Sequence, residues 1–98
     1  MEESKNQTLS SEPQHLEQNF PNPFNPVTKV SYALLRDYFV NVGIFNLFGQ
    51  ELLKLYAGQQ SAGRYEFEFD GKNLPGGVYF VRLQYGNKTE TRKMILTK

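Results

Sequence analysis

Beyond residue 26 the chain alternates between apolar and polar positions. In 27–35, Val30, Tyr32 and Leu34 fall on one side. In 38–46, Val40, Val42 and Ile44 take one side and Asn41 and Gly43 the other, with Phe45 as the exception. The cleanest period of two runs through 63–70, where Tyr65, Phe67 and Phe69 oppose Arg64, Glu66 and Glu68. This is the pattern of half-buried strands. Stretch 77–85 follows a loop rich in Gly and Pro and groups Tyr79, Val81 and Leu83. Stretch 88–98 follows Tyr85-Gly86-Asn87-Lys88, a two-residue hairpin signal, and groups Met94 with Leu96. Leu47-Phe48-Gly49-Gln50 reads as a turn. The segment ELLKLY at 51–56 is made largely of good helix formers, but Gly49 and Gly58 bound it too closely for a helix, and a strand is expected there. Six strands at regular spacing predict an all-β antiparallel sandwich. Its expected core comprises Val30, Tyr32, Leu34, Val40, Val42, Ile44, Leu52, Leu55, Phe67, Phe69, Tyr79, Val81, Leu83, Met94 and Leu96.

The chain ahead of this pattern differs. Residues 1–18 hold only Leu9 and Leu16 as aliphatic side chains after Met1, too little to offset the entropy of ordering them. They are read as a linker or flexible tail to a domain at 19–98, and a linker of that length suggests that something precedes the domain. The domain opens on NFPNPFNP, with Pro21, Pro23 and Pro26 among Phe20 and Phe24. Proline fixes φ and removes the N–H, so the segment is stiff and costs little entropy to dock. Asn19, Asn22 and Asn25 recur every three residues, the period of a polyproline II ribbon. A clasp is expected, with Phe20 and Phe24 as its two anchors. The competing reading is a proline-rich ligand for a partner module.

Composition narrows the function. Eight Phe, six Tyr and no Trp support strands. Eleven basic residues against ten acidic ones give a formal net charge of +1, which argues against a nucleic-acid surface. With no cysteine, disulfides and thiolate metal sites are excluded. No apolar run reaches the length of a membrane span, and the first residues, MEESKNQTLS, lack the basic start and apolar middle of a signal peptide.

Candidate chemistry is sparse. The single histidine, His15, lies in the expected tail, where a metal site would need companions that it lacks. Asp37 and Asp70 read as turn residues. Glu66 and Glu68 share a strand face about 7 Å apart, a glycosidase-like spacing, but two glutamates on an exposed β face are ordinarily solvated. Asn6-Gln7-Thr8 and Asn87-Lys88-Thr89 fit the N-glycosylation pattern. There is no phosphate loop and no nucleophile elbow; neither enzyme nor cofactor is expected. Leu74-Pro75-Gly76-Gly77-Val78-Tyr79 fits a tyrosine corner, in which the hydroxyl bonds back to the backbone. Arg92 and Lys93 suit either a charged, blunted edge or a strand that offers its backbone to a partner.

NFPNPFNPVTKVSYALL, VGIFNLFGQEL and NLPGGVYFVRLQYGNKTETRKMILTK, in that order, resemble the C-terminal sorting domain of type IX secretion in its immunoglobulin-like form, which is similar to the immunoglobulin-like domain of the flagellar hook-capping protein. The resemblance runs from Asn19 to Lys98. It implies an immunoglobulin-like antiparallel β-sandwich of about seven strands behind an N-terminal cargo. It also implies passage through the periplasm, recognition by an outer-membrane translocon, removal by a sortase-like peptidase, and a secreted or cell-surface product. Carried over by residue, the glycine-aromatic block falls on Gly77, Val78 and Tyr79, and the basic-apolar block on Arg92, Lys93, Met94, Ile95 and Leu96, followed by Lys98. Two other roles stay open on the residues alone. One is an adhesive accessory domain contacting glycan through Phe45, Phe48, Tyr56 or Phe80. The other is a homo-oligomer in which the proline-rich segment of one chain docks on the next.

Overall fold

The computed structural model describes residues 15–98. Its elements are β1 (Val27–Leu34), β2 (Tyr38–Phe45), β3 (Glu51–Gln60), β4 (Gly63–Asp70), β5 (Gly77–Tyr85) and β6 (Lys88–Leu96). They form two antiparallel sheets, one of order β1-β4 and one of order β3-β2-β5-β6. The fold is the expected all-β sandwich, with six strands among the described residues rather than about seven. Segment 15–26 takes the place of a seventh without becoming one. It touches the sheets at three isolated bridges, Leu16 to Tyr32 and Phe20 to Lys29, both antiparallel, and Phe24 to Leu96, parallel.

The turns form for local reasons. Between β2 and β3 the Asn46 side-chain oxygen accepts from the Phe48 and Gln50 amides at 2.9 and 3.0 Å, the Asx chemistry that nucleates turns. Gly86 opens the β5–β6 hairpin at φ 58°, where a side chain would be strained.

Val30, Val40, Val42, Ile44, Val81, Leu83 and Met94 are fully buried, as alternation predicts. Leu52, expected in the core, is instead 41% exposed, and Leu55 is only half-buried. Both are the extra residues of β-bulges. Val42 pairs with Tyr56 and Gly43 with Lys54, which skips Leu55; Ile44 pairs with Leu53 and Phe45 with Glu51, which skips Leu52. A bulge shifts the in-out phase that alternation assumes. Phe67 is also only half-buried, because the two-stranded sheet is the narrower one. Tyr32 stacks on Tyr65 and Phe67 and donates its hydroxyl to Gln60 Oε1 at 2.6 Å. Burial pushes this phenol up to about 12.

Candidate recognition surface

β6 carries most of the residues the sequence singles out. It pairs with β5 from Gly77↔Leu96 to Tyr85↔Lys88. Directly opposed residues share a face, so the terminal block splits. Met94, opposite Tyr79, and Leu96 turn inward and are buried. They are core residues first and could meet a partner only after unfolding. Arg92 lies opposite the inward Val81, half-buried, with Nη1 donating to the Thr91 carbonyl at 3.3 Å. Lys93, opposite Phe80, is exposed on the outer face, and Ile95 is half-buried there. Lys98 is exposed and reaches back to donate to the Lys72 carbonyl at 2.7 Å.

The rim of β6 that faces away from β5 is occupied from Lys93 to Thr97. Phe24 N–H donates to the Ile95 carbonyl and Thr97 N–H to the Phe24 carbonyl, each at 2.9 Å. Ile95 N–H donates to Asn22 Oδ1 at 2.8 Å, and the Lys93 carbonyl accepts from Gln18 Nε2 at 2.7 Å and Asn22 Nδ2 at 3.3 Å. A bare terminal rim, ready to receive a partner strand, is therefore not what the structure shows along this stretch.

The proline-rich segment docks on the sheets, and one of its two phenylalanine rings is buried rather than both. Phe24 is 1% exposed and packs against Phe69 at 5.8 Å between ring centroids. Phe20 is 79% exposed: its backbone, not its ring, is bound, exchanging two bonds with Lys29. The threefold Asn spacing does not produce one face either. Asn19 is buried, Asn22 half-buried and Asn25 exposed, and the chain bends between them. Asn19 Nδ2 donates to Thr28 Oγ1 and to the Pro21 carbonyl, which also accepts from the Thr28 hydroxyl. Pro23 is exposed, whereas the Pro26 carbonyl accepts from the Gly71 amide at 2.7 Å.

The glycine-aromatic block closes the same end of the sandwich. Tyr79 is 6% exposed and donates its hydroxyl to the Pro75 carbonyl at 2.6 Å, the corner geometry expected from the sequence. Gly77 is exposed at φ 151°. A methyl group on Gly76 would lie 3.3 Å from the Leu96 carbonyl, and one on Gly71 would lie 3.0 Å from a Leu96 methyl. Glycines therefore let the β4–β5 loop press on the end of β6.

At the opposite end the sequence reading missed a cluster. His15 and Leu16, assigned to the tail, are 4% and 1% exposed and pack with the sheets. Residues 1–14 lie outside the described residues. Glu90 and β1 share the docking, with Ala33 N–H donating to the His15 carbonyl at 3.2 Å and Glu17 N–H to the Ser31 carbonyl at 3.0 Å. The Glu90 carboxylate accepts from the His15 amide at 2.9 and 3.0 Å, the Leu16 amide at 2.8 Å and the Tyr85 hydroxyl at 2.5 Å, with His15 Nδ1 at 3.4 Å. Burial pushes this carboxyl up, but the Tyr85, Leu16 and His15 donors outweigh it and hold it below the ordinary range. The His15 ring packs edge-on against Tyr85 at 4.5 Å. Farther along, Arg64 grips exposed Glu17 with two bonds of 2.7 and 2.9 Å.

The structure places the remaining candidates as follows. Asp37 and Asp70 accept from the backbone amides of Ala62 and Lys72, as turn residues do. Glu66 and Glu68 are exposed on β4. Among the described residues no group of three or more His, Cys, Asp or Glu side chains comes together, and no helix is long and apolar enough to cross a membrane. Asn87 sits in the β5–β6 turn, while Asn6 lies outside the described residues. Phe45 and Phe80 are cross-strand neighbours on the outer face, with the Arg82 guanidinium 4.0 Å from the Phe45 ring centre. Tyr56 faces inward onto Phe67.

Fold and surface together define a small β-sandwich module whose elaborated region is the end where β6, the β4–β5 loop and the proline-rich segment meet. The chain belongs to the family of secretion system C-terminal sorting domains, whose model matches residues 18–97. This is the type IX family that the sequence resembles, and membership gives the chain the role of a sorting signal and places it among exported, secreted or cell-surface proteins. No curated protein matches the chain. Among solved structures, the Pseudomonas fluorescens alkylpurine DNA glycosylase AlkC, bound to DNA containing an abasic site analogue, is similar at 13% identity with a TM-score of 0.55. The match covers 95% of this chain and 33% of that one, and at this identity it speaks to the fold alone.

Proposed function

We propose that this domain acts without enzymatic chemistry, as a folded label read by protein–protein recognition. An outer-membrane translocon receives it from the periplasm with its cargo attached at the N-terminal side, and a sortase-like peptidase acts afterwards. The observation that carries this reading is convergence. The blocks around Gly77 and around Lys93 to Lys98, separate in sequence, meet at one end of the sandwich, where Gly76 packs on the Leu96 carbonyl and Lys98 bonds Lys72. Recognition then falls on the groups that the core does not consume: Gly77, Lys93, the outer part of Ile95, and Lys98.

The test must spare the core. Deleting 93–98 would remove buried Met94 and Leu96 and unfold the domain whatever its role. Lys93→Glu with Lys98→Glu leaves those contacts intact. With residues 15–98 fused behind a signal peptide and a reporter in a bacterium that uses this route, the charge-reversed pair is expected to lower export several-fold at an unchanged melting temperature. Export equal to that of the unmodified fusion would overturn the reading.

A second reading, a glycan-contacting face, draws on the Phe45–Phe80 pair and on Phe48, which is 87% exposed. Arg82 already covers one face of the Phe45 ring, which leaves less stacking surface than a sugar platform uses. Retention of the domain on immobilised polysaccharide, lost in Phe80→Ala, would favour this reading over sorting.

A further inference from the structure

We infer that the β6 rim from Lys93 to Thr97 is a strand-acceptor site and that segment 15–26 is its built-in competitor. The occupant we assign is an extended segment of a partner protein, running parallel to β6 with an aromatic side chain in the slot that Phe24 fills. This rests on the sorting reading and names how the machinery engages the domain.

Four observations carry it. First, the rim is a continuous row of strong backbone groups: the Lys93 carbonyl, both Ile95 groups and the Thr97 amide. Each is bonded to the lead-in segment. Second, that segment meets only part of the row with its own backbone. At Ile95 N–H and at the Lys93 carbonyl, the side-chain amides of Asn22 and Gln18 stand in for the peptide groups of a neighbouring strand. Third, the cover cannot zip. Pro21, Pro23 and Pro26 have no N–H, and the segment meets β6 at a single bridge, Phe24 to Leu96, whereas β5 and β6 pair without a break from Gly77 to Tyr85. A segment with every donor present would match the rim better than the resident one, which is how added strands gain affinity. Fourth, release can be partial. Glu90 holds residues 15 and 16 at the far end of the molecule through their amides. Asn22 and Phe24 can then leave the rim while the segment stays tethered.

An internal competitor lowers the apparent affinity of any incoming strand by the fraction of time that the rim is covered. Weakening the cover should therefore strengthen binding in trans. The probe is a synthetic peptide of residues 15–26 carrying Pro21→Thr and Pro23→Val, titrated into the 98-residue chain and into its Asn22→Ala variant while amide shifts are followed. Asn22 is half-buried and gives the rim only side-chain bonds, so the variant should keep its β1–β5 shifts. The expected result is shift changes confined to Lys93–Thr97 and the Phe24 slot, with several-fold tighter binding to Asn22→Ala, and no binding of the same peptide carrying Phe24→Ala. Equal affinity for both chains, shifts centred elsewhere, or no binding at millimolar peptide would overturn the inference. The outcome is independent of export. Failure of the peptide beside a working charge-reversal effect removes only the acceptor site. Peptide binding beside unimpaired export of the charge-reversed fusion removes recognition through Lys93 and Lys98 and leaves a strand acceptor.

Discussion

The four-stranded sheet has two rims, and the chain treats them oppositely. The β6 rim is sealed from Lys93 to Thr97 by a segment that buries Phe24 and spends Gln18 and Asn22 on backbone partners. At the β3 rim, Leu52 and Leu53 are 41% and 44% exposed. Its protection is of another kind: two bulges, a glycine at φ 154° and a Glu51–Lys54 ion pair of 3.1 Å. Irregularity and charge make an edge a poor template for pairing. Among the described residues, the pairing-competent β6 rim carries a dedicated cover, whereas the rim bent by its own bulges carries none.

The largest blow to this contrast should come from Phe24→Ala. Truncating a fully buried aromatic costs about 3–5 kcal/mol, and urea unfolding should report a loss in that range. A loss under about 1 kcal/mol would mean that the seal does not depend on the ring. Next is Glu90→Gln, which weakens the acceptor of two buried amides and a phenol and is expected to cost about 1–3 kcal/mol. Hydrogen exchange should quicken at His15 and Leu16 before any β5 amide. Acid should reproduce part of this effect. The Glu90 carboxyl is depressed in the folded state, so its contribution is complete above the ordinary carboxylate range and is lost as pH falls through the lowered value. Amide exchange at 15 and 16 that stayed flat across that acid window would refute the assignment. Tyr79→Phe should cost about 1 kcal/mol by deleting the bond to Pro75, measured as a lowered midpoint at unchanged m-value. Smallest of all, Leu52→Thr on the open rim should change stability by less than about 0.5 kcal/mol. A core-sized loss there would restore Leu52 to the interior that the period of two assigns it.

The sheet itself was legible because its signals are local. Alternation in β1, β2 and β4, a Gly-Asn hairpin and a corner tyrosine each lie within a few residues, and each predicts its outcome without knowledge of the rest. Leu52 shows where that logic ends. A single inserted residue inverts the phase, and nothing in ELLKLY marks the insertion. The placement of the singled-out residues was legible in outline: the proline-rich stretch packs against the sheets, and Gly76 and Gly77 lie beside the end of β6. Their wiring was not. Leu16 stands alone in a polar run and has no period to betray it, and Glu90 finds the amides of His15 and Leu16 across most of the chain. Phe20 and Phe24 look equivalent in sequence. Only the turn between them, fixed by Asn19 and Thr28, decides that one ring goes inside and the other into solvent.

The contact between Phe24 and Leu96 also sets an order of events during synthesis. Phe24 emerges from the ribosome ahead of every strand, and the surface it needs is finished only when β6 has been translated. Until then the proline-rich stretch can reach β1 and β4, through Phe20, Thr28 and Phe69, but not its partners on β6, and whatever precedes it is joined to an incomplete module. Closing this seam thus marks the moment at which the whole sheet has been read out.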